Sequence, residues 1–390
     1  MCRKNFCYNS IEDAIRMTKR PLKIITLLSG TGRGGADILA LDISKRLKKS
    51  GHDVIFACPR DNALIDEATS CGIGILILDR QGGADLESLR SFIRFCQNEK
   101  VDIVNSHHSR GRHFLTSAKL LGLKPKTVFT RHCLSGGPPL GLFFYNFASD
   151  LNIAVSHSVR KSLLLGGMLP GRTKTVYGGI DIGKFEKVPG EKVEETRGKY
   201  AAPGILNIGI VGRFFALADK NKPSLKRHEV LFRALAGLNE DFNLLVLGTS
   251  DKKPLDMLID LARFHGLDDR KITICGFQDD PAPFYKIMDI NVLPSPREGL
   301  GLALIEAMAS GVPSIGAAGG GIREIITDGV DGFLFKPGDS GELAEKISVL
   351  IENAKLREMF IENGRKKVKE LFDIDKNTKQ LEDAFYSLLN

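Results

Sequence analysis

Twelve short β-branched runs punctuate the chain, and each is apolar on both of its faces. Six stand in the first half: KIITLL (23–28), HDVIFAC (52–58), ILILD (75–79), VDIVNS (101–106), TVFTRH (127–132) and LNIAVS (151–156). Six more follow: LNIGIVG (206–212), FNLLVLG (242–248), KITICGF (271–277), DINVLPS (289–295), GVPSIGA (311–317) and GFLFKPG (332–338). A strand apolar on both parities is covered on both sides, which is the condition of a parallel sheet between helical layers. Helix-length stretches lie between the runs. In Gly35–Ser50, for example, Leu39, Ile43 and Leu47 form one stripe. The alternation predicts two α/β domains in tandem, each an open, doubly wound sheet. The polar, Gly- and Pro-punctuated stretch 183–204 reads as the linker between them, and 340–372 and 376–389 read as helical. Open α/β sheets bind ligands at the carboxyl edges of their strands, so two such sheets predict a cleft between those edges.

Composition excludes several classes. At 390 residues, 43% hydrophobic and 26% charged, the chain is a globular protein of two or three domains, not a disordered or fibrous one. No apolar run reaches the roughly 18–20 residues that cross a bilayer, and the N-terminal twenty residues lack the apolar core of a secretory signal. The seven cysteines are scattered, odd in number and without a CxxC pair, which points to a reducing cytoplasm and away from a disulfide frame or zinc site. Charge is uneven. Met1–Ile182 holds 26 Lys and Arg against 15 Asp and Glu, a balance of +11, and the remaining 29 against 32 give −3. A basic first half suits an anionic partner: phosphates, nucleic acid or a membrane face. Nucleic acid is disfavoured by the acidic second half and by the absence of Trp with only six Tyr.

Two segments carry candidate chemistry. Gly30-Thr-Gly32-Arg-Gly34-Gly35 follows the first strand and opens the first helix, so bare backbone can approach a phosphate or sugar there. A dinucleotide site also needs an acid at the end of the second strand, and Ala57-Cys58-Pro59-Arg60-Asp61 fits that poorly. The second segment runs from Pro294 to Ala307 and holds Glu298 and Glu306, separated by seven residues. Glu298 follows a buried strand in a Gly-containing turn, and Glu306 lies inside an apolar helix. A carboxylate in that setting is costly unless paired or ligand-bound. The helix N-terminus at Gly299–Leu302 offers unpaired N–H groups to a diphosphate. Glu306 is then placed to accept protons from ribose hydroxyls, and Glu298 to hold a sugar beyond the phosphates. A capping acid plus a buried structural pair is the plainer alternative.

The stretch Gly276–Asp339 resembles the C-terminal domain of the retaining GT-B glycosyltransferases of family 4, the glycosyl transferases group 1. The resemblance rests on E-x7-E, the PS before it, EAMASGVPSI after it, GGGIREII and DGFLFKPGD, all in order. It implies the GT-B fold, two Rossmann-like domains facing a central cleft, over 1–187 and 188–372. A C-terminal helix, 373–390, is expected to cross back to the first domain. It implies that Glu298 contacts the donor sugar, Glu306 the ribose, and the backbone of Gly299, Leu300, Gly301 and Leu302 the diphosphate. Gly212-Arg213 resembles the family's phosphate-binding arginine at a strand end. Lys226 in SLKRHEVLFRAL is the match for the lysine that follows, with Arg227 where the family has glycine; Lys220 and Lys222 are alternatives. Gly34-Gly35 resembles the first-loop GGA, and VDIVNSHHSR a strand ending in a histidine. TRH (130–132) resembles T-x-H, which makes His132 the first choice of histidine, His107 the second and His108 the third. AVSHSVRKSLL (154–164) resembles the acceptor-side segment, and Gly178 in VYGGID stands where the family has asparagine.

The resemblance implies transfer of a sugar, with retention, from a UDP-, GDP- or ADP-sugar to a hydroxyl of a glycan or lipid-linked acceptor, in lipopolysaccharide or other cell-envelope polysaccharide synthesis. Arg213, a lysine and a helix dipole suit a departing diphosphate better than a hydrolytic carboxylate pair would. No persuasive DxD motif is present, since Asp373-Ile-Asp375 lies among the C-terminal helices, so neither a metal nor a cofactor is expected. The basic half and the run Gly136–Phe144 suggest peripheral contact with an anionic membrane surface at its cytoplasmic face. An NDP-sugar epimerase on the same plan, a phosphorylase (for which no cofactor lysine is evident) and an NAD(P)-dependent oxidoreductase using Gly30–Gly35 are the rival readings.

Overall fold

The computed structural model describes residues 20–79, 81, 85–134, 140–214, 224–248 and 251–390. Each of the twelve runs contains a strand. In the first half these are β1 (Lys23–Leu27), β2 (Asp53–Cys58), β3 (Gly74–Ile77), β4 (Ile103–Ser106), β5 (Lys126–Arg131) and β6 (Leu151–Ala154). A further strand, β7 (Thr173–Thr175), escapes the pattern because it has three residues and an exposed lysine at its centre. The second half supplies β8 (Leu206–Val211), β9 (Phe242–Leu247), β10 (Ile272–Gly276), β11 (Ile290–Leu293), β12 (Ser314–Ala317) and β13 (Phe333–Phe335).

The strands make two sheets, in the orders β3-β2-β1-β4-β5-β6-β7 and β10-β9-β8-β11-β12-β13. Recorded pairings are parallel in both. Both are doubly wound, with helices between strands, and are Rossmann-like. The order reverses between β1 and β4 and between β8 and β11, so each sheet opens a crevice at that point. One strand departs from expectation. β3 closes its sheet at one end and is not covered on both sides: Ile77 is 43% exposed. An edge strand has one neighbour, and its apolar run cannot reveal that.

The chain groups into two compact units. The first takes the chain up to Thr130 with Phe147–Leu151 and Ala384–Asn390; the second takes Arg131–Asn146 and Asn152–Asp383. Within the first, the Tyr386 hydroxyl donates to the Arg20 carbonyl at 2.9 Å, which ties the chain's last helix to its first described residue. Within the second, stretch 183–204 is not an open linker but two helices, Ile182–Glu186 and Gly190–Tyr200. Asp181 caps the first by accepting from the Lys184 amide at 3.2 Å, and Phe185 and Tyr200 pack on Tyr285 and Phe284. The aromatic anchors outweigh the polar composition that suggested a loop. The Ile180 amide donates to Phe372 O and the Ile374 amide to Ile180 O, so the segment after β7 is pinned to the entrance of the last helix.

Candidate functional site

In the second unit the crevice between β8 and β11 is lined by the turns that leave those strands. After β8 come Gly212 and Arg213. Gly248, at φ +111°, lies against the Gly212 carbonyl, so this turn is packed on the exit of β9. The stem of Lys226 crosses Gly212: a Cβ there would meet Lys226 Cε at 3.4 Å. Lys226 sits on a rigid turn. Ser224 Oγ donates to Glu229 Oε2 at 2.7 Å and accepts from the His228 amide at 2.9 Å. Arg227 holds φ +58°, the left-handed region. That is why a glycine is the expected residue there, and it supports reading Lys226 as the lysine of the motif. Lys220 and Lys222 lie outside the described residues.

Lys226 Nζ donates to Glu298 Oε1 at 2.6 Å, joining two residues picked from separate motifs. The pair is largely buried, with side chains 25% and 16% exposed. Glu298 is aimed by a close stack of backbone. Gly319, Gly320 and Gly321 lie directly against the carbonyls of Pro296, Glu298 and Gly299, and the Gly321 amide donates to Glu298 O at 2.9 Å. Gly299 in turn lies against the His132 carbonyl, and Ser156 Oγ donates to Gly299 O at 2.5 Å. Side chains at these glycines would push the layers apart. The site therefore brings together the Gly212-Arg213 backbone, Lys226, Glu298, the turn at Gly299 and the His132 backbone.

The helix Leu302–Ser310 starts from Gly301 at φ +104°, with no side-chain cap and no acid in its first turn. Its leading N–H groups stay available to an anion. Glu306 lies one turn further on. Its Oε2 accepts from the Tyr285 hydroxyl at 2.8 Å. Tyr285 is fully buried, and burial and the neighbouring carboxylate push its pKa well above the usual value, so it stays a donor. Tyr285 was invisible in sequence because it reads as one more core aromatic.

Two other contacts lay beyond the sequence reading. Glu324 of GGGIREII accepts from the His157 and Ser158 amides at 2.8 and 2.7 Å and from the Tyr177 hydroxyl at 3.0 Å. It thereby caps the helix His157–Leu165, and Ser158 Oγ donates to Gly320 O. His228 is fully buried, and neither ring nitrogen has a hydrogen-bond partner among the described residues. Burial, then the Lys226 charge, push its pKa down to about 3. The folded state therefore holds a neutral ring while the unfolded chain protonates near pH 6.5. Stability is fully present above that value and falls as pH drops towards 3, by at most about 1.4 kcal/mol per pH unit. His228→Leu is expected to flatten this slope in urea titrations run from pH 7 to about pH 4; an unchanged slope would assign it to other groups.

In the first unit the crevice between β1 and β4 gathers the histidine pair and the glycine loop. His108 Nδ1 accepts from the Ser29 amide at 3.0 Å, which leaves the ring proton on Nε2, 3.2 Å from Asp37 Oδ1. Asp37 Oδ2 also accepts from the Gly34 amide at 3.0 Å, so an acid already occupies the N-terminus of the helix Gly35–Lys49. His107 is 3% exposed. Its Nε2 lies 3.1 Å from Asn105 Nδ2, and Asn105 Oδ1 accepts from Thr130 Oγ1 at 2.8 Å. The amide therefore donates to Nε2 and orients the ring. Gly34 and His108 thus meet at Asp37, while His107 belongs to a separate chain of hydrogen bonds through Asn105 to Thr130.

Two Rossmann-like sheets, with a lysine–glutamate pair beside an uncapped helix N-terminus in the second, make up the fold and the candidate site, and comparison with known proteins gives the family. Residues 216–367 match the family described as glycosyl transferases group 1, and 33–184 match glycosyltransferase family 4. The chain belongs to this family of GT-B glycosyltransferases and is a hexosyltransferase-type enzyme. It is similar to the N-acetyl-α-D-glucosaminyl L-malate synthase of Bacillus anthracis, 26% identical over 91% of this chain and 94% of that protein. It is also similar to the capsular polysaccharide biosynthesis glycosyltransferase CapM of Staphylococcus aureus, 29% identical over 78% of this chain and 82% of the relative. Among solved structures, a glycosyltransferase from Rickettsia africae superposes with a TM-score of 0.85 at 22% identity, covering 95% of this chain and all of that one. The Anabaena protein HepE, solved with UDP, gives 0.80 at 21% over 94% of this chain and all of its own.

Proposed function

We propose that the chain transfers a sugar from a nucleotide-diphosphate sugar to a hydroxyl of a glycan or lipid-linked acceptor in cell-envelope polysaccharide synthesis, with retention. The observation that carries this is the Lys226–Glu298 pair next to the uncapped start of the Leu302–Ser310 helix. Residues 188–372 receive the donor and 1–187 the acceptor, with 373–390 as a closing helix. Arg213, Lys226 and the N–H groups of Gly299–Leu302 neutralise the departing diphosphate. Glu298 holds hydroxyls of the sugar, Glu306 holds the ribose, and His132 stands beside sugar and phosphates. The acceptor proton passes to the leaving phosphate oxygen, so no protein carboxylate attacks the anomeric carbon. Uridine nucleotides are the first donors to try, since HepE has been solved with UDP and with UDP-glucose; the guanosine and adenosine sugars follow. Relatives named for capsule synthesis and lipopolysaccharide synthesis support an envelope acceptor. The +11 balance of Met1–Ile182 supports an anionic membrane surface as a further partner.

Thermal shift against the three nucleotide-sugar classes tests the donor reading, because a ligand bound only to the folded state raises the melting temperature. Glu306→Ala should abolish the shift. Tyr285→Phe should weaken UDP binding about fivefold to tenfold, in line with the net worth of one ordinary hydrogen bond, about 1 kcal/mol. The same variant should leave 2′,3′-dideoxy-UDP binding unchanged, because the effect acts through the ribose hydroxyls. Equal losses for both nucleotides would make Tyr285 a packing residue only.

A further inference from the structure

The second unit carries a surface segment with inverted burial. Asn146 is 7% exposed, whereas Leu140, Phe143 and Phe144 are 66%, 61% and 63% exposed. The inversion is held by specific bonds. Asn146 Nδ2 donates to Phe143 O and Gly167 O at 2.9 and 2.8 Å, and its Oδ1 accepts from the Leu169 amide at 3.0 Å. The Leu140 and Leu142 amides donate to Leu165 O and Gly166 O. Leu140 is held at φ +62°, a conformation that bulky residues rarely adopt. The same bonds set Leu165 and Leu169, 64% and 41% exposed, beside the aromatic pair. A buried amide thus spends its hydrogen bonds keeping five large apolar side chains in contact with water. Clustered apolar exposure of this kind marks a binding face.

The segments of the second unit that build it carry charge of one sign. Stretches 131–146 and 152–180 contain Arg131, Arg160, Lys161, Arg172 and Lys174 and no acidic residue. Lys161 lies one helical turn before Leu165, on the same face. Arg172 Nη1 donates to the Asn146 carbonyl at 3.1 Å, so its charge is fixed at the edge of the cluster. Lys161, Arg172 and Lys174 are exposed. An apolar knob rimmed by cations matches the boundary of an anionic bilayer, where rings and leucines enter the headgroup region and cations meet phosphates. A second copy of this chain would oppose like charges around the same knob.

We propose that Leu140, Phe143, Phe144, Leu165 and Leu169 dock into the surface of an anionic phospholipid bilayer, with Lys161, Arg172 and Lys174 on its headgroups. This gives a location to the membrane contact proposed above and rests on that reading, not on the donor chemistry. The test is flotation of the full chain with vesicles of phosphatidylcholine alone and of phosphatidylcholine mixed with phosphatidylglycerol, at low and high salt. Recovery with the anionic vesicles, lost in high salt, is expected. Phe143→Ser with Phe144→Ser, and separately Lys161→Glu with Arg172→Glu, should each lower the partition at least about tenfold. Both double variants should keep the wild-type melting temperature and its response to UDP, which shows that they are folded. The proposal is overturned if the wild type ignores anionic vesicles, or if either double variant floats like the wild type. It is equally overturned if the wild type is a dimer that the serine variant splits, since the face would then join two copies. Failure of UDP to stabilise the wild type would refute the donor reading and leave the vesicle result standing.

Discussion

Glu298→Ala is expected to lower kcat at least about a hundredfold, a loss of about 2.7 kcal/mol of transition-state stabilisation, while UDP affinity changes less than about threefold. The split follows from where the side chain points. Glu298 reaches Lys226, whereas Glu306, the proposed ribose ligand, reaches Tyr285. Removing it takes away the anchor proposed for the sugar and also leaves the Lys226 ammonium without its carboxylate in a mostly buried position. A lysine so released can swing towards the phosphates, which offsets any loss of nucleotide binding. Glu298→Gln separates the two roles: it keeps hydrogen-bonding capacity and loses the charge. An intermediate kcat for the glutamine variant would assign part of the effect to the ion pair. Turnover kinetics with isothermal titration of UDP decides the matter, and normal turnover by the alanine variant would remove Glu298 from the site.

Gly299→Ala and Gly320→Ala are expected to destabilise the second unit by about 3 kcal/mol or more each, the sum of forced overpacking and, for Gly320, a left-handed backbone. At Gly299 the new methyl group would occupy the space of the His132 carbonyl, and at Gly320, with φ +54°, that of the Glu298 carbonyl. Neither obstacle is the flexible end of a side chain. Both are backbone, and moving them displaces the turn that carries Glu298. In a unit of this size such a loss corresponds to a fall in melting temperature of about 6–10 °C. Gly198→Ala is the control. It lies within the helix Gly190–Tyr200, where a methyl group meets nothing within 4 Å, and should be neutral or slightly stabilising. Scanning calorimetry of the three variants is sufficient, and a Gly320→Ala protein that melts like the control would contradict the layered packing.

Strand content was legible because a parallel sheet writes itself into the sequence as doubly apolar runs, and Lys226 and Glu298, which the fold joins, could be picked out separately because each stands in a motif of the family. The parts that were not legible depend on tertiary partners. Edge position is invisible in β3, since its residues match those of a central strand. Strand β7 is three residues long and held by its neighbours. The helices in 183–204 form because Phe185 and Tyr200 find aromatic partners a hundred or so residues away, which no local composition discloses. Tyr285 and Glu324 look like ordinary core and surface residues until their hydrogen-bond partners are known. Arg227 is the instructive case. The sequence shows a departure from glycine at that position, and the backbone angle shows that the conformational demand persisted while the residue changed.

The helix His157–Leu165 has nine residues, so it is about 13 Å long. Its first turn is bolted to the glycine-rich layers around Glu298: Ser156 to Gly299, Ser158 to Gly320, and Glu324 to the leading amides. Its last residue, Leu165, belongs to the exposed apolar face. This short strut makes that face and the loop that carries Glu298 two ends of one piece. A protein resting on that face would carry its reacting centre at a set height above the support, as a ruler does. An acceptor tethered to the same support would then be selected by the length of its stalk as well as by its chemistry.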